Sequence, residues 1–439
     1  MSVALDQLLA AVDARQGELV DLLCKLVTFE TPAPPARNTG DAQAYIAGLL
    51  RDMGAELDIW DVHPGDPNVV GTIKGSDSAG YNSLIINGHI DVAAVEEGEP
   101  WETGPFQPIL RDGFIIGRGT ADMKGGLAGA LLALRILNDH GVTLPGDVIF
   151  QSVIGEEVGE AGTLEACKRG YTADMAVVVD TTDLRIQGQG GVITGWITVK
   201  SPQTYHDGTR GRMIHAGGGL FAASAIEKMA KIIQGLGELE RHWAVTKQYP
   251  GCPLGSTTIN PAVIEGGRHA AFIADECRLW ITVHYYPNEN YEDVVREIEA
   301  HVAGIAAGDP WLRVNRPSFV WGGTSMIIDR GEIFPSLEVD PEHPGTKLFM
   351  AMHEQVTEAP VTLTVSPSVC DGGWFGDAGI PALIYGPGTL KEAHSVNEQV
   401  SIAQLVTFTK VLMAFILNWT STKADRPDQT IPSDRVDPV

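Results

Sequence analysis

Three short apolar runs constrain this chain more than any other feature: "SLIIN" before Gly88 and His89, "VIFQSVI" before Gly155, and "MAVVV" before Asp180. Each is too short for a helix and is bounded by turn residues, so each reads as a buried strand. Helical stretches separate them, among them "KGGLAGALLALRILNDH" from Lys124. The alternation is that of an α/β fold whose central sheet is mixed and mostly parallel. His89 and Asp91 follow the first run, Glu156 and Glu157 the second, and Asp180 closes the third, while Asp122 stands just before the glycine-started helix. All of them therefore fall at strand ends or in the loops beyond, the edge where open α/β sheets bind ligands.

Several carboxylates brought to one sheet edge repel one another unless a cation neutralises them. A divalent metal is expected, and imidazole with carboxylates suits Zn²⁺, with Co²⁺ or Mn²⁺ as substitutes. The five cysteines are widely spaced, never in a CxxC pair, and odd in number, so thiolate ligation and a disulfide framework are not indicated. That usage predicts the reducing cytoplasm.

The chain carries 31 Lys and Arg against 56 Asp and Glu, a formal charge of −25, which argues against nucleic acid as partner. No apolar run in the sequence reaches the roughly 18 residues expected of a membrane span, so no membrane partner is expected. The first residues read as an amphipathic helix with acids where a secretory signal would carry bases.

At 439 residues two domains are expected. The first part of a catalytic α/β domain is assigned to residues 1–190. The texture changes at "LRIQGQGG", and 191–308 read as strand, helix, two strands and helix, a ferredoxin-like α+β insert. Residues 309–420 return to the catalytic domain, and the polar, proline-bearing 421–439 are expected to be a disordered tail.

The segments "NGHIDV", "GRGTADMKGG", "GEEVGEAGT", "VVVD" and "GPGTLKEAHSVNE" resemble, in order and rough spacing, the motifs of the di-zinc amidohydrolase and peptidase family. That family includes acetylornithine deacetylase, succinyl-diaminopimelate desuccinylase, aminoacylase and glutamate carboxypeptidase. The resemblance runs from about Val12 to Trp419 and implies that His89 and Asp180 hold one zinc, Glu157 and His394 the other, with Asp122 bridging. It makes Glu156 the general base and acid, and Asp91 the acceptor that fixes the tautomer of His89.

The same resemblance treats the insert as a lid and dimerisation domain. His215, or else His206 nine residues earlier, would be the lid histidine reaching a partner subunit's site, which makes a homodimer the expected assembly. Asn260 matches a substrate-binding position, and His284 stands where the family carries a strand arginine. The backbone of Gly386, Pro387 and Gly388 would offer N–H donors to substrate. Trp101 and Phe106 are assigned to packing.

The expected reaction is hydrolysis of a linear amide in a small N-acyl amine. The "ETPAPPARNTG" and "PGDPNVVG" stretches resemble the acetylornithine deacetylase branch, formylaminopyrimidine deformylases in particular. The alternatives are a metallo-dipeptidase or carboxypeptidase, and a non-catalytic ligand-binding relative.

Overall fold

The computed structural model describes residues 4–210 and 223–425. Eight strands form the main sheet, in the order 363–366, 186–189, 382–384, 175–178, 84–89, 148–153, 66–73 and 56–63. Its centre is parallel: Ala382–Ile384, Met175–Val178, Leu84–His89 and Val148–Val153 run side by side in one direction. Asp66–Ile73 and Glu56–His63 continue the sheet antiparallel. The central strands are buried along their whole length, as their unbroken apolar character requires.

Helix Lys124–Asp139 lies in the core and packs against both Ile402–Trp419 and the N-terminal helix Gln16–Val27. Its close fit explains the glycine start, because a Cβ on Gly126 would collide with the carbonyl of Val179. Ile402–Trp419 is long and apolar enough to cross a membrane by composition, yet it is largely buried against neighbouring helices.

A second sheet draws on strands from both sides of residue 308. Gly191–Lys200, Thr258–Gly266 and Glu276–Tyr285 are joined by Ser318–Trp321, giving an antiparallel order of 258–266, 276–285, 191–200 and 318–321. With helices Ala225–Thr246 and Tyr291–Ala307, these strands complete the β-α-β-β-α-β ferredoxin-like unit. Ile333–Phe334 adds a last short pairing with the same strand. The closing strand is only four residues long and alternates exposed and half-buried positions, too brief a pattern to register in the sequence.

The far C-terminus also departs from expectation. Residues 421–425 are tied to the body, where Thr422 accepts the N–H of Asn82 at 3.0 Å and Lys423 pairs with Tyr81. Residues 426–439 of the expected tail lie outside the described residues.

Candidate metal centre

His89 ends the central strand, and its ring is only 1% exposed. Its Nδ1 lies 2.9 Å from the backbone carbonyl of Asp91 and 3.7 Å from the Asp91 carboxylate. A carbonyl only accepts, so Nδ1 carries a proton and Nε2 is the ring nitrogen that faces the cleft. Asp91 thus fixes the tautomer through its backbone. Its side chain does something else: one oxygen accepts the N–H of Gly155 at 2.9 Å, the other that of Glu157 at 3.1 Å. A carboxylate that satisfies two buried amides holds the turn that carries the next two acids.

That turn is the single 3₁₀ turn Glu156–Val158, flanked by Gly155 at φ +79° and Gly159 at φ +65°. The strand alternation that would aim neighbouring side chains apart has ended, so Glu156 and Glu157 both face the cleft. Replacing Asp91 with Ala is expected to weaken metal binding by roughly 10- to 100-fold while the fold persists. Competition with a chelator measures this, and an unchanged affinity would show that the turn holds itself.

Around these residues the charges converge. His89 Nε2 lies 3.2 Å from Asp122 Oδ1, and His394 Nε2 lies 3.4 Å from Asp122 Oδ2 and 2.9 Å from Glu157 Oε2. Each oxygen of Asp122 therefore serves a different imidazole. Glu156 Oε2 stands 3.8 Å from His89 Nε2. His89, Asp122 and Glu157 each offer an atom within 4.8 Å of the others. Asp180 stands outside that trio, at the end of Met175–Val178, where its Oδ1 accepts the N–H of Thr181 at 2.6 Å.

The protonation states report the crowding. Burial, reinforced by the charges of Glu157, Asp371 and Asp180, pushes Glu156 well above the carboxylate range. Burial and the charge of Asp122 push Glu157 to about 7 and Asp180 to about 6. His394 is held charged to about 11 by its bonds to Asp122 and Glu157. Burial works against a charged His89, but Asp122, Glu156 and Asp91 outweigh it. These buried acids need positive charge, and two imidazoles on opposite oxygens of Asp122 mark two places for it.

The residues present fit a pair of divalent cations. Buried Oε1 of Glu157 has no hydrogen-bond partner among the described residues, and His89 Nε2 has only the oxygen of Asp122 at 3.2 Å, an expensive state for polar atoms unless something else binds them. The donors are imidazole nitrogen and carboxylate oxygen, a set that suits Zn²⁺ and its neighbours. The thiol of Cys370 lies beside Asp180, donates to Gln189 Oε1 at 3.2 Å and is held protonated by burial.

Supports that the motifs only hinted at complete the site. Fully buried Glu398 accepts the N–H groups of Ala121 and Asp122 at 2.8 and 3.0 Å, and its other oxygen pairs with Arg118 at 2.8 Å. Arg118 also donates to the carbonyls of His394 and Ser395, both at 3.3 Å, so one buried ion pair places Asp122 and His394 together. Trp101 packs over that guanidinium at 5.3 Å. Asp371, pushed to about 7 by burial, feels His89, Asp91 and Asp180. The signal for both was available, since a charge between glycines in "GRG" and an acid before a glycine pair in "CDGG" are costly to place without a purpose.

Other sequence expectations fall elsewhere. The N–H of Gly386 donates to Thr182 Oγ1 at 3.0 Å and that of Gly388 to Gln404 Oε1 at 2.9 Å, so neither is free for substrate. Their role is close packing, because a Cβ on Gly386 would collide with the Asp180 carbonyl. Asn260 lies opposite Thr282 on the insert's sheet, exposed, and His284 is on the same strand as Thr282. His206 is an exposed residue on a two-residue strand paired with Phe272–Ile273. His215 lies outside the described residues.

The model of peptidase family M20/M25/M40 matches residues 85–418. An N-formyl-4-amino-5-aminomethyl-2-methylpyrimidine deformylase of Bacillus subtilis (strain 168) is 63% identical over 415 residues, covering 94% of this chain and 97% of its own. An acetylornithine deacetylase of Vibrio campbellii is 24% identical, covering 84% and 89%. An M20 family metallo-carboxypeptidase from Sulfolobus solfataricus superposes with a TM-score of 0.70 at 16% identity, over 92% of this chain and 99% of its own. A dinuclear metal binding M20 peptidase of Bacillus subtilis gives 0.63 at 17%, over 93% and 99%.

Proposed function

The chain belongs to peptidase family M20/M25/M40, and from that premise we propose that it removes the formyl group from an N-formyl aminomethyl-pyrimidine, releasing formate and the free amine. It is an enzyme that hydrolyses an amide bond. The observation that carries the substrate assignment is the likeness to pyrimidine deformylases along nearly the whole chain. The peptidases that share the fold are too distant in sequence to argue for a peptide substrate.

His89 and Asp180 would hold one ion, Glu157 and His394 the other, with Asp122 shared, because each Asp122 oxygen faces a different imidazole. Zn²⁺ is the proposed ion at both. Such a pair supplies a Lewis acid for the amide carbonyl and an acidified water as nucleophile. Glu156 takes the proton released as the water's oxygen bonds to the formyl carbon. It then delivers that proton to the amine nitrogen as the C–N bond breaks. Burial favours the neutral acid that holds the proton between the two transfers.

His215 is proposed to complete a neighbouring subunit's site in a homodimer working in the cytoplasm. Mixing inactive His215→Ala chains with inactive Glu156→Gln chains should restore about a quarter of wild-type activity if subunits exchange at random and one intact site forms per mixed dimer. No recovery after exchange would place His215 in its own subunit's site.

The substrate assignment is tested by stripping metal with a chelator, reloading with Zn²⁺ or Co²⁺, and following amine release from N-formyl, N-acetyl and N-succinyl amines and dipeptides. The N-formyl aminopyrimidine is expected to exceed its N-acetyl analogue in kcat/KM by roughly 10- to 200-fold, the usual reach of one carbon in a fitted pocket. Dipeptides cleaved faster than any acyl amine would move the protein to the peptidase reading.

A further inference from the structure

Glu160 is an acid for which the reaction has no use, and its side chain is completely buried. Arg37 grips it with both guanidinium nitrogens, Nη2 at 2.7 Å from Oε1. His63 Nε2 lies 3.4 Å from its other oxygen. The remaining partner comes from the insert: Ser325 Oγ donates to Oε1 at 2.7 Å. Ser325 lies between the insert's last two strands, in a return segment that makes a second contact here, as Met326 N–H donates to the carbonyl of Val158 at 2.9 Å.

Those contacts land on the turn that carries Glu156 and Glu157. Glu160 N–H closes the turn onto the carbonyl of Gly155 at 2.7 Å, and Val158 is buried against Ala33 and Ala36, just ahead of Arg37. Arg37 is itself fixed, because Asp66 accepts its backbone N–H at 3.2 Å. The turn is thus held by the proline-rich loop on one side and by the insert on the other, with one carboxylate common to both.

We propose that Glu160 is a positioning residue which, through Arg37 and Ser325, couples the placement of the insert to that of Glu156 and Glu157. The inference rests on the roles given to those two residues above. When the insert shifts relative to the main sheet, the bond from Ser325 and the Met326 contact move with it, and the turn follows. Closure of the insert over substrate would then set the base and one ligand in their working positions.

Ser325→Ala removes the link from the insert's side chain and leaves Arg37 paired. Binding of Co²⁺, followed by its visible absorption, reads the site without reference to any substrate, and kcat and KM are measured beside it. A lost hydrogen bond to a buried charge predicts roughly tenfold weaker Co²⁺ binding or tenfold lower kcat, with KM within about threefold. Ser325→Thr, which keeps the hydroxyl, should recover most of the loss. Glu160→Gln, which also weakens the pair with Arg37, should lose at least as much as Ser325→Ala, and the double variant should be no worse than Glu160→Gln alone, because both act through one link. Co²⁺ affinity and kcat both within about twofold of wild type in Ser325→Ala overturn the proposal, as do losses that multiply in the double variant. A wild-type protein that binds no Co²⁺ and turns over nothing would instead overturn the roles of Glu156 and Glu157.

Discussion

Glu156→Gln is expected to bind its metal as the wild type does and to lose turnover by roughly 10²- to 10⁴-fold, the contribution of a well-placed acid and base. The amide matches the carboxylate in shape, so the turn between Gly155 and Gly159 should persist with its hydrogen bonds to Asp91. What disappears is the ability to accept a proton. The nearest replacement, Glu157, is engaged with His394 at 2.9 Å. Metal content by elemental analysis, together with kcat, separates the two effects. Turnover within tenfold of wild type would assign the proton transfers to another group, and loss of metal would make Glu156 a ligand.

Asp122→Ala is expected to do the reverse and empty the site. Asp122 is the only residue whose two oxygens face both imidazoles among the described residues, so its removal deprives both positions of a shared anionic donor. It also leaves His89 Nε2 and His394 Nε2 with one carboxylate neighbour each, Glu156 and Glu157. A Lewis acid at the carbonyl is worth several kcal/mol, so activity should fall by about 10³-fold or more, with bound metal dropping from two ions per chain to one or none. The loss should persist when metal is added in excess. Two ions retained with normal affinity would show that Asp122 does not bridge, whatever the activity.

Both expectations began in the resemblance, which gives Glu156 of "GEEVGEAGT" the part of general base and acid. That Asp122 serves two centres was implied by resemblance, and its support came from two distances that no spacing in the chain contains. The same holds for Asp91, which the resemblance made the acceptor of a bond from His89. In the fold the backbone carbonyl takes that bond, because the side chain is turned toward the amides of Gly155 and Glu157, more than sixty residues away in sequence.

Arg118 and Glu398 make a similar point. Each lies in a segment that carries the family resemblance, yet their joint task appears only when 280 residues of chain fold back and bring them to 2.8 Å. The strand Ser318–Trp321 is illegible in the sequence for a related reason, because it joins its sheet by virtue of its partner, Gly191–Lys200, rather than by any pattern of its own.

The sequence by itself determined the strands, the edge of the sheet that carries the chemistry and the residue types that demand a cation. Hydrophobic periodicity and the cost of crowded carboxylates act locally and can be read locally. The tertiary structure decided which oxygen faces which imidazole, which buried acids meet backbone amides rather than the cleft, and how the segment around Ser325 reaches the turn of Glu156. Those outcomes depend on contacts between distant segments, where a shift of one or two ångströms exchanges a ligand for a hydrogen bond.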